Sequence, residues 1–134
     1  MRSHLMREKN LQTRITRYVK NRWQHGSAAI ELKICHEKSL PFNAVKEHQI
    51  AGLLVAKHGT LAYKIPDTGY DQKPFDMVVL NNSSAYVLIM FYQRGCNICY
   101  LIDVDKYVHE RDNSKRKSLT EERCTEIAEK IVLG

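Results

Sequence analysis

Apolar residues recur along the chain at two periods, one typical of helices and one typical of strands. Between Glu8 and Gln24 every fourth residue is apolar, which predicts an amphipathic helix, and Gly26 is suited to follow its end. Between Ala28 and Ile34 apolar and polar residues alternate, which predicts a strand. In such a strand Glu31 and Lys33 lie on one face and the aliphatic residues lie on the other.

The following segments predict a second helix and several strands. Asn43 is the expected N-cap of a helix that runs to about His58 and is ended by Gly59. Four strands are expected to follow as antiparallel neighbours, over residues 60–65, 75–80, 85–93 and 99–104.

The end of the chain predicts a charged loop and a closing helix. Residues 109–117 are rich in charge, and Ser118 with Glu121 then forms a capping box for the last helix. With 134 residues the chain fits a single domain spanning residues 1–134. The order of elements predicts an α/β (α+β) fold with a mixed sheet.

Charge and cysteine content narrow the classes of partner and compartment. The chain has 21 Lys and Arg against 15 Asp and Glu, a formal charge of +6. This excess favours a polyanionic partner, either nucleic acid or an anionic membrane surface. No apolar run approaches the roughly 20 residues of a membrane-spanning helix. Four cysteines without a secretory signal lead us to expect free thiols and a cytoplasmic location.

Three features suggest where chemistry takes place. In Glu31-Leu32-Lys33, a carboxylate next to an ammonium suits metal-assisted phosphodiester hydrolysis, although an ordinary exposed ion pair has the same pattern. Gln49 falls on the apolar stripe of the second helix, so its amide either bonds a polar group of the sheet or lies at the edge of the stripe. Asp76 stands in an otherwise apolar strand, where it needs a cationic partner or ends the strand facing water.

Three short motifs together resemble the RecU-type Holliday junction resolvases of the PD-(D/E)XK nuclease superfamily. They are Glu31-Leu32-Lys33, Leu40-Pro41-Phe42 and His48-Gln49-Ile50, and the similarity covers residues 28–65 together with Arg116-Lys117-Ser118-Leu119. Such nucleases usually carry a metal-binding aspartate on a strand before the acid-x-lysine strand. Here a basic helix precedes that strand, so Asp76 on a later strand is the expected substitute.

The resemblance implies a restriction-endonuclease-like fold, with a central mixed sheet flanked by helices, and an endonuclease that needs Mg²⁺ or Mn²⁺. The metal would be held by Asp76, Glu31 and the carbonyl of Leu32, with Lys33 positioning the water and Gln49 supporting the site. Glu8 is a possible extra ligand. The expected substrate is branched DNA, with a homodimer for a four-way junction. Seven basic residues are expected to contact DNA, namely Lys38, Lys64, Lys73, Arg14, Arg17, Arg116 and Lys117.

Other interpretations remain open on the sequence alone. The chain could be a non-catalytic nucleic-acid-binding module on the same fold, or a nuclease that acts on a different DNA structure. Cys96 and Cys99 could hold zinc with Cys35, His36 or Cys124, but no second close cysteine pair is present, which favours structural cysteines. Tyr70, in a loop, could stack on an unpaired base.

Overall fold

A computed structural model of the chain describes residues 7–67, 69 and 72–134. In these ranges the helices are α1 (Glu8–Arg22), α2 (Glu47–His58), α3 (Val104–Asn113) and α4 (Glu121–Ile127). The strands are β1 (Ala28–Cys35), β2 (Ser39–Pro41), β3 (Thr60–Lys64), β4 (Met77–Asn81), β5 (Ser84–Phe91), β6 (Ile98–Asp103), β7 (Ser118–Thr120) and β8 (Glu129–Val132). None of the described helices is both long and apolar enough to cross a bilayer.

The main sheet has four strands in the order β1-β5-β6-β8. β1 runs parallel to β5, with Leu32 opposite Leu88, while the β5–β6 and β6–β8 pairs are antiparallel. The parallel pair is connected through α2, as parallel strands need a crossover. β5 is almost continuously apolar and buried, which suits a strand with neighbours on both edges and helices over both faces.

Each face of the sheet has its own core. Val87 and Ile89 of β5 pack on the side that carries Ile50 of α2 and Tyr107 of α3. The alternating residues Leu88 and Met90 belong to the other core, where α1 contributes Leu11 and Ile15. The observed fold is therefore a mixed α+β sheet with helices on both faces, as the sequence predicted at that level.

The predicted run of four antiparallel strands is confirmed for its first and last pairs, β3–β4 and β5–β6, but is wrong in its middle pair, because β4 does not pair with β5. β4 pairs with β3 in a separate hairpin, and β2 pairs with β7 in another two-stranded sheet. β4 alternates between exposed and half-buried residues, whereas β5 has five consecutive buried ones from Val87 to Phe91. The more apolar strand takes the place beside β1 because burying it removes more apolar surface from water.

The predicted last helix is also wrong in its extent and its cap. Thr120, not Ser118, accepts the hydrogen bond from the Arg123 backbone N–H at 3.0 Å. The helix stops at Ile127, and the next residues form β8 on β6. β-strand pairing there buries Ile131 in the core under α1.

The predicted loop over 109–117 is helical in its first part, because α3 extends to Asn113. Asp103 caps α3 by accepting hydrogen bonds from the backbone N–H groups of Asp105 and Lys106, at 3.0 and 3.4 Å. Asn43 is not an N-cap but part of a single 3-10 turn over Phe42–Ala44, and α2 begins after Lys46. The predicted end of α2 at Gly59 is confirmed.

Candidate functional site

A cleft of about 490 Å³ lies along β1, at the edge of the main sheet. Three elements contribute polar side chains to it, with Glu31 and Lys33 from β1, Gln49 from α2 and Glu8 from α1. Lys33 Nζ lies 3.5 Å from Glu31 Oε2, and both side chains are largely shielded, with 18% and 27% of their surface exposed. The sequence predicted three of these four residues as catalytic and named Glu8 as a possible extra ligand.

The strand period explains how β1 places its two charged residues. Ala29 and Cys35 pack in the core that contains α2, while Ile30, Leu32 and Ile34 pack in the core under α1. Successive side chains of a strand point to opposite faces, so Glu31 and Lys33 share the α2 face with Ala29 and Cys35. The cleft forms where this face meets the open edge of the strand.

The backbone of β1 is accessible at that edge. The Ile34 N–H donates a hydrogen bond to Glu8 Oε2 at 3.2 Å, whereas the Cys35 carbonyl accepts from Tyr92 N–H, on the β5 side, at 2.7 Å. Alternate residues of an extended strand direct their N–H and C=O groups to the same side. The carbonyl of Leu32 therefore faces the edge where Glu8 lies, and no other strand pairs there in the described part of the chain.

Gln49 has a second role that the sequence pattern did not predict. Its Oε1 accepts a hydrogen bond from the Lys46 backbone N–H at 2.9 Å, which fixes the first turn of α2. This bond uses one of the two lone pairs of the amide oxygen, and the amide nitrogen of this half-buried residue can donate to a group bound in the cleft.

Asp76 does not line the cleft. It precedes β4, its side chain is 83% exposed, and its carboxylate pairs with Lys73 Nζ at 3.1 Å. The expectation that its strand lies beside that of Glu31 is wrong, because the neighbour of β1 is β5 and the partner of β4 is β3. Its assignment as a metal ligand stays a prediction, as does that of Glu31.

The oxygen donors of the cleft fit a hard divalent cation. Glu8 and Glu31 supply carboxylates, and Leu32 supplies a backbone carbonyl. Mg²⁺ is commonly bound in proteins by one or two carboxylates, with water and substrate phosphate oxygens completing the octahedron. The described residues contain no group of three His, Cys, Asp or Glu side chains that could hold a metal. The protein ligands that the cleft could offer a cation are therefore two carboxylates and one backbone carbonyl.

The cysteines show no such convergence within the described ranges, and all four are free thiols. Cys99 is buried and Cys96 is half-buried beside the β5–β6 connection, as expected for structural cysteines in a hairpin. Burial raises the pKa of the Cys99 and Cys124 thiols to about 12. The His36 ring packs edge-on against Tyr92, with 5.8 Å between centroids.

The basic residues predicted to contact DNA are spread over several surfaces. Arg116 and Lys117 line a groove beside the start of α2. Arg14 donates to the Cys96 carbonyl at 3.1 Å, so its guanidinium is held against the β5–β6 connection. The others are placed by their elements, Arg17 on α1, Lys38 before β2, and Lys64 and Lys73 on the β3–β4 hairpin. Tyr70 lies outside the described residues.

Sequence reasoning did not single out Lys46, which also lines the groove, because an isolated lysine before a helix carries no pattern. The charge run over 111–117 was the one signal for this region.

Comparison with protein-family models, curated proteins and solved structures finds no match to the chain.

Proposed function

We propose that the protein is a metal-dependent endonuclease that hydrolyses DNA phosphodiester bonds in the cleft along β1. The observation that carries this proposal is the convergence of Glu8, Glu31, Lys33 and Gln49 from three elements on one open cleft. Two carboxylates with an adjacent ammonium, beside a free strand carbonyl, match what phosphodiester hydrolysis needs. The resemblance of the same residues to PD-(D/E)XK nucleases supports the same activity.

The reaction assigns a role to each side chain. A water oxygen attacks phosphorus as the water gives up a proton to the solvent, one bridging P–O bond breaks, and the departing alkoxide takes up a proton from the solvent. A bound Mg²⁺ would supply Lewis-acid activation and offset phosphate charge, with Glu31, Glu8 and the Leu32 carbonyl as its protein ligands. Lys33 donates hydrogen bonds to the water or to a phosphate oxygen as charge develops there. Gln49 also lines the cleft, and its amide nitrogen can donate to a phosphate oxygen bound there.

We propose branched DNA, in particular the four-way junction, as the substrate. This choice rests on the resemblance to Holliday junction resolvases. A junction is two-fold symmetric, so paired cuts call for two copies of the chain related by a two-fold axis.

The test is cleavage of a labelled four-way junction and of its linear duplex in Mg²⁺, Mn²⁺ or chelator. We expect metal-dependent nicking of the junction that falls by at least about 100-fold in Glu31→Gln and in Lys33→Met. Lys130→Met on β8, at the opposite edge of the sheet, is the matched control and should cut like the wild type. Equal cutting of both substrates would retain the nuclease and refute the junction specificity.

Two further variants decide which residue supplies the second carboxylate. Glu8→Gln keeps an oxygen acceptor for the Ile34 N–H while it removes the charge, so its effect on activity reports the ligand role. Asp76→Asn removes the carboxylate that the sequence predicted. Loss of Mg²⁺-dependent cutting in Glu8→Gln alone assigns the ligand to α1, and loss in Asp76→Asn alone would return it to the β3–β4 hairpin.

The position of Asp76 outside the cleft favours one alternative, a nucleic-acid-binding module without activity. Such a module binds DNA in a salt-sensitive manner, and Glu31→Gln and Asp76→Asn leave that binding intact. Tight binding with no cutting in any metal would make this alternative the better account.

A further inference from the structure

A second and larger concavity, about 650 Å³, lies on the other side of the first turn of α2, and we call it the basic groove. It runs between the 3-10 turn over Phe42–Ala44 and the segment that connects α3 to β7. Five cationic side chains line it, and Glu47 is the only carboxylate among its lining residues. The cations are Lys46, Arg111, Lys115, Arg116 and Lys117.

Most of this positive charge is not neutralised by the protein. Arg111 is the exception, since its guanidinium contacts Glu47 at 2.8 Å and Asp112 at 3.0 Å. None of the ion pairs among the described residues includes the other four cations, and all four are exposed. Four unpaired cations around one concave surface attract a polyanion more strongly than the same charges dispersed over the molecule.

The walls of the groove are held in place by the fold. The Phe42 backbone N–H donates to the Lys117 carbonyl at 3.0 Å, and the adjacent Pro41 lies opposite Ser118 in the β2–β7 pair. The Tyr107 hydroxyl donates to the Phe42 carbonyl at 2.9 Å and ties α3 to the same turn. The backbone at Lys117 is therefore preformed for binding, and only side chains have to be ordered on contact.

The start of α2 connects the groove with the cleft. Lys46 and Glu47 line the groove, and Gln49, which caps Lys46, lines the cleft. We propose that the basic groove binds backbone phosphates that flank the scissile one on the same DNA molecule. That these phosphates flank a cleaved one rests on the proposed nuclease function, whereas the phosphate contacts themselves follow from the groove alone.

The experiment measures DNA affinity without cutting, by fluorescence anisotropy of a labelled duplex and of a four-way junction in chelator, over a series of salt concentrations. The variant is Arg116→Ala/Lys117→Ala, and the matched control is Lys106→Ala/Lys130→Ala, which removes the same charge at exposed positions outside the groove. The slope of log affinity against log salt is negative, and we expect its magnitude to fall by about 2 in the groove variant. Its affinity at 0.1 M salt should fall by at least about tenfold, while the control stays near the wild type.

Three results would overturn the proposal. The first is an unchanged salt slope in the groove variant, and the second is an equal loss in the control, which would show that only net charge matters. The third is found when inorganic pyrophosphate is added as a competitor. A groove variant that binds DNA normally but is no longer affected by pyrophosphate would identify the groove as a small-anion site. If no metal supports cutting but the groove variant loses DNA affinity and salt dependence as expected, the nuclease function is refuted and the assignment of the groove stands.

Discussion

Replacing Tyr107 with phenylalanine tests how firmly α3 is tied to the wall of the basic groove. Tyr107 is fully buried, its hydroxyl donates to the Phe42 carbonyl at 2.9 Å, and its ring meets that of Phe42 edge-on with centroids 5.8 Å apart. Tyr107→Phe keeps the ring contact and removes only the hydroxyl. Burial raises the pKa of this hydroxyl, so it stays protonated and able to donate throughout the physiological range.

The size of the effect follows from what happens to the acceptor. A net hydrogen bond contributes about 1 kcal/mol to stability, and an abandoned buried partner can raise the loss to about 3 kcal/mol. The Phe42 carbonyl also accepts from the Val45 backbone N–H at 3.4 Å, so it keeps one partner in the variant. We therefore expect a loss near the lower limit, about 1 kcal/mol, or about 4 °C in Tm.

Urea unfolding followed by circular dichroism measures this loss, with Tyr63→Phe as the control. Tyr63 lies on β3 with 55% of its surface exposed, and its variant should stay within about 0.5 kcal/mol of the wild type. Equal stability of Tyr107→Phe and the wild type would refute the hydrogen bond to Phe42. A loss above about 3 kcal/mol would instead show that the ring packing had collapsed.

Two further predictions concern thiol reactivity and acid stability. Iodoacetamide at pH 8, followed by mass spectrometry, should modify Cys96 first, because the three other thiols are buried, and equal labelling of Cys99 in the folded protein would contradict its burial. The hydrogen bond from Lys57 lowers the pKa of Asp105, and the hydrogen bond from His58 adds to this effect. The Asp105 carboxylate therefore stabilises the fold above its unfolded pKa of about 3.9. This stabilisation is lost as the pH falls through the lower pKa of the folded state. Urea midpoints should therefore favour the wild type over Asp105→Asn at pH 7 and converge as the pH falls below about 4, and a gap that stays constant over this range would contradict the shift.

The sequence predicted the elements whose periodicity is unbroken. Apolar residues at every fourth position, such as Leu11 and Ile15, locate α1, and both residues are buried against the sheet. The alternation around Glu31 and Lys33 locates β1 and correctly puts the two charges on one face. In these segments local pattern and tertiary burial agree, so one sequence window holds the information.

The elements that sequence reasoning missed are those that depend on distant partners. α3 has few apolar positions, and its helical state depends on the Asp103 cap and on burial of Tyr107 against Phe42, which lies far away in the chain. β8 is a strand because β6 offers it an open edge, although the same residues continue a helical pattern. The position of Asp76 followed from neither charge nor period, since it depends on which strand pairs with β1.

The cleft and the basic groove carry opposite net charge, and under the proposed function this difference predicts how each would engage a phosphate backbone. The cleft has two carboxylates and one ammonium, a sum of −1, while the groove has five cations and one carboxylate, a sum of +4. On the proposed function, the net charge of the metal-free cleft disfavours a phosphate there, and we expect DNA affinity in chelator to come mainly from the groove. A divalent cation bound in the cleft would reverse the sign of the cleft alone, and we expect the affinity it adds to disappear in Glu31→Gln and to persist in Arg116→Ala/Lys117→Ala. Lys46 lines the groove and Gln49, whose side chain accepts from the Lys46 backbone N–H, lines the cleft, so we expect a DNA strand held in the groove to run on towards the cleft.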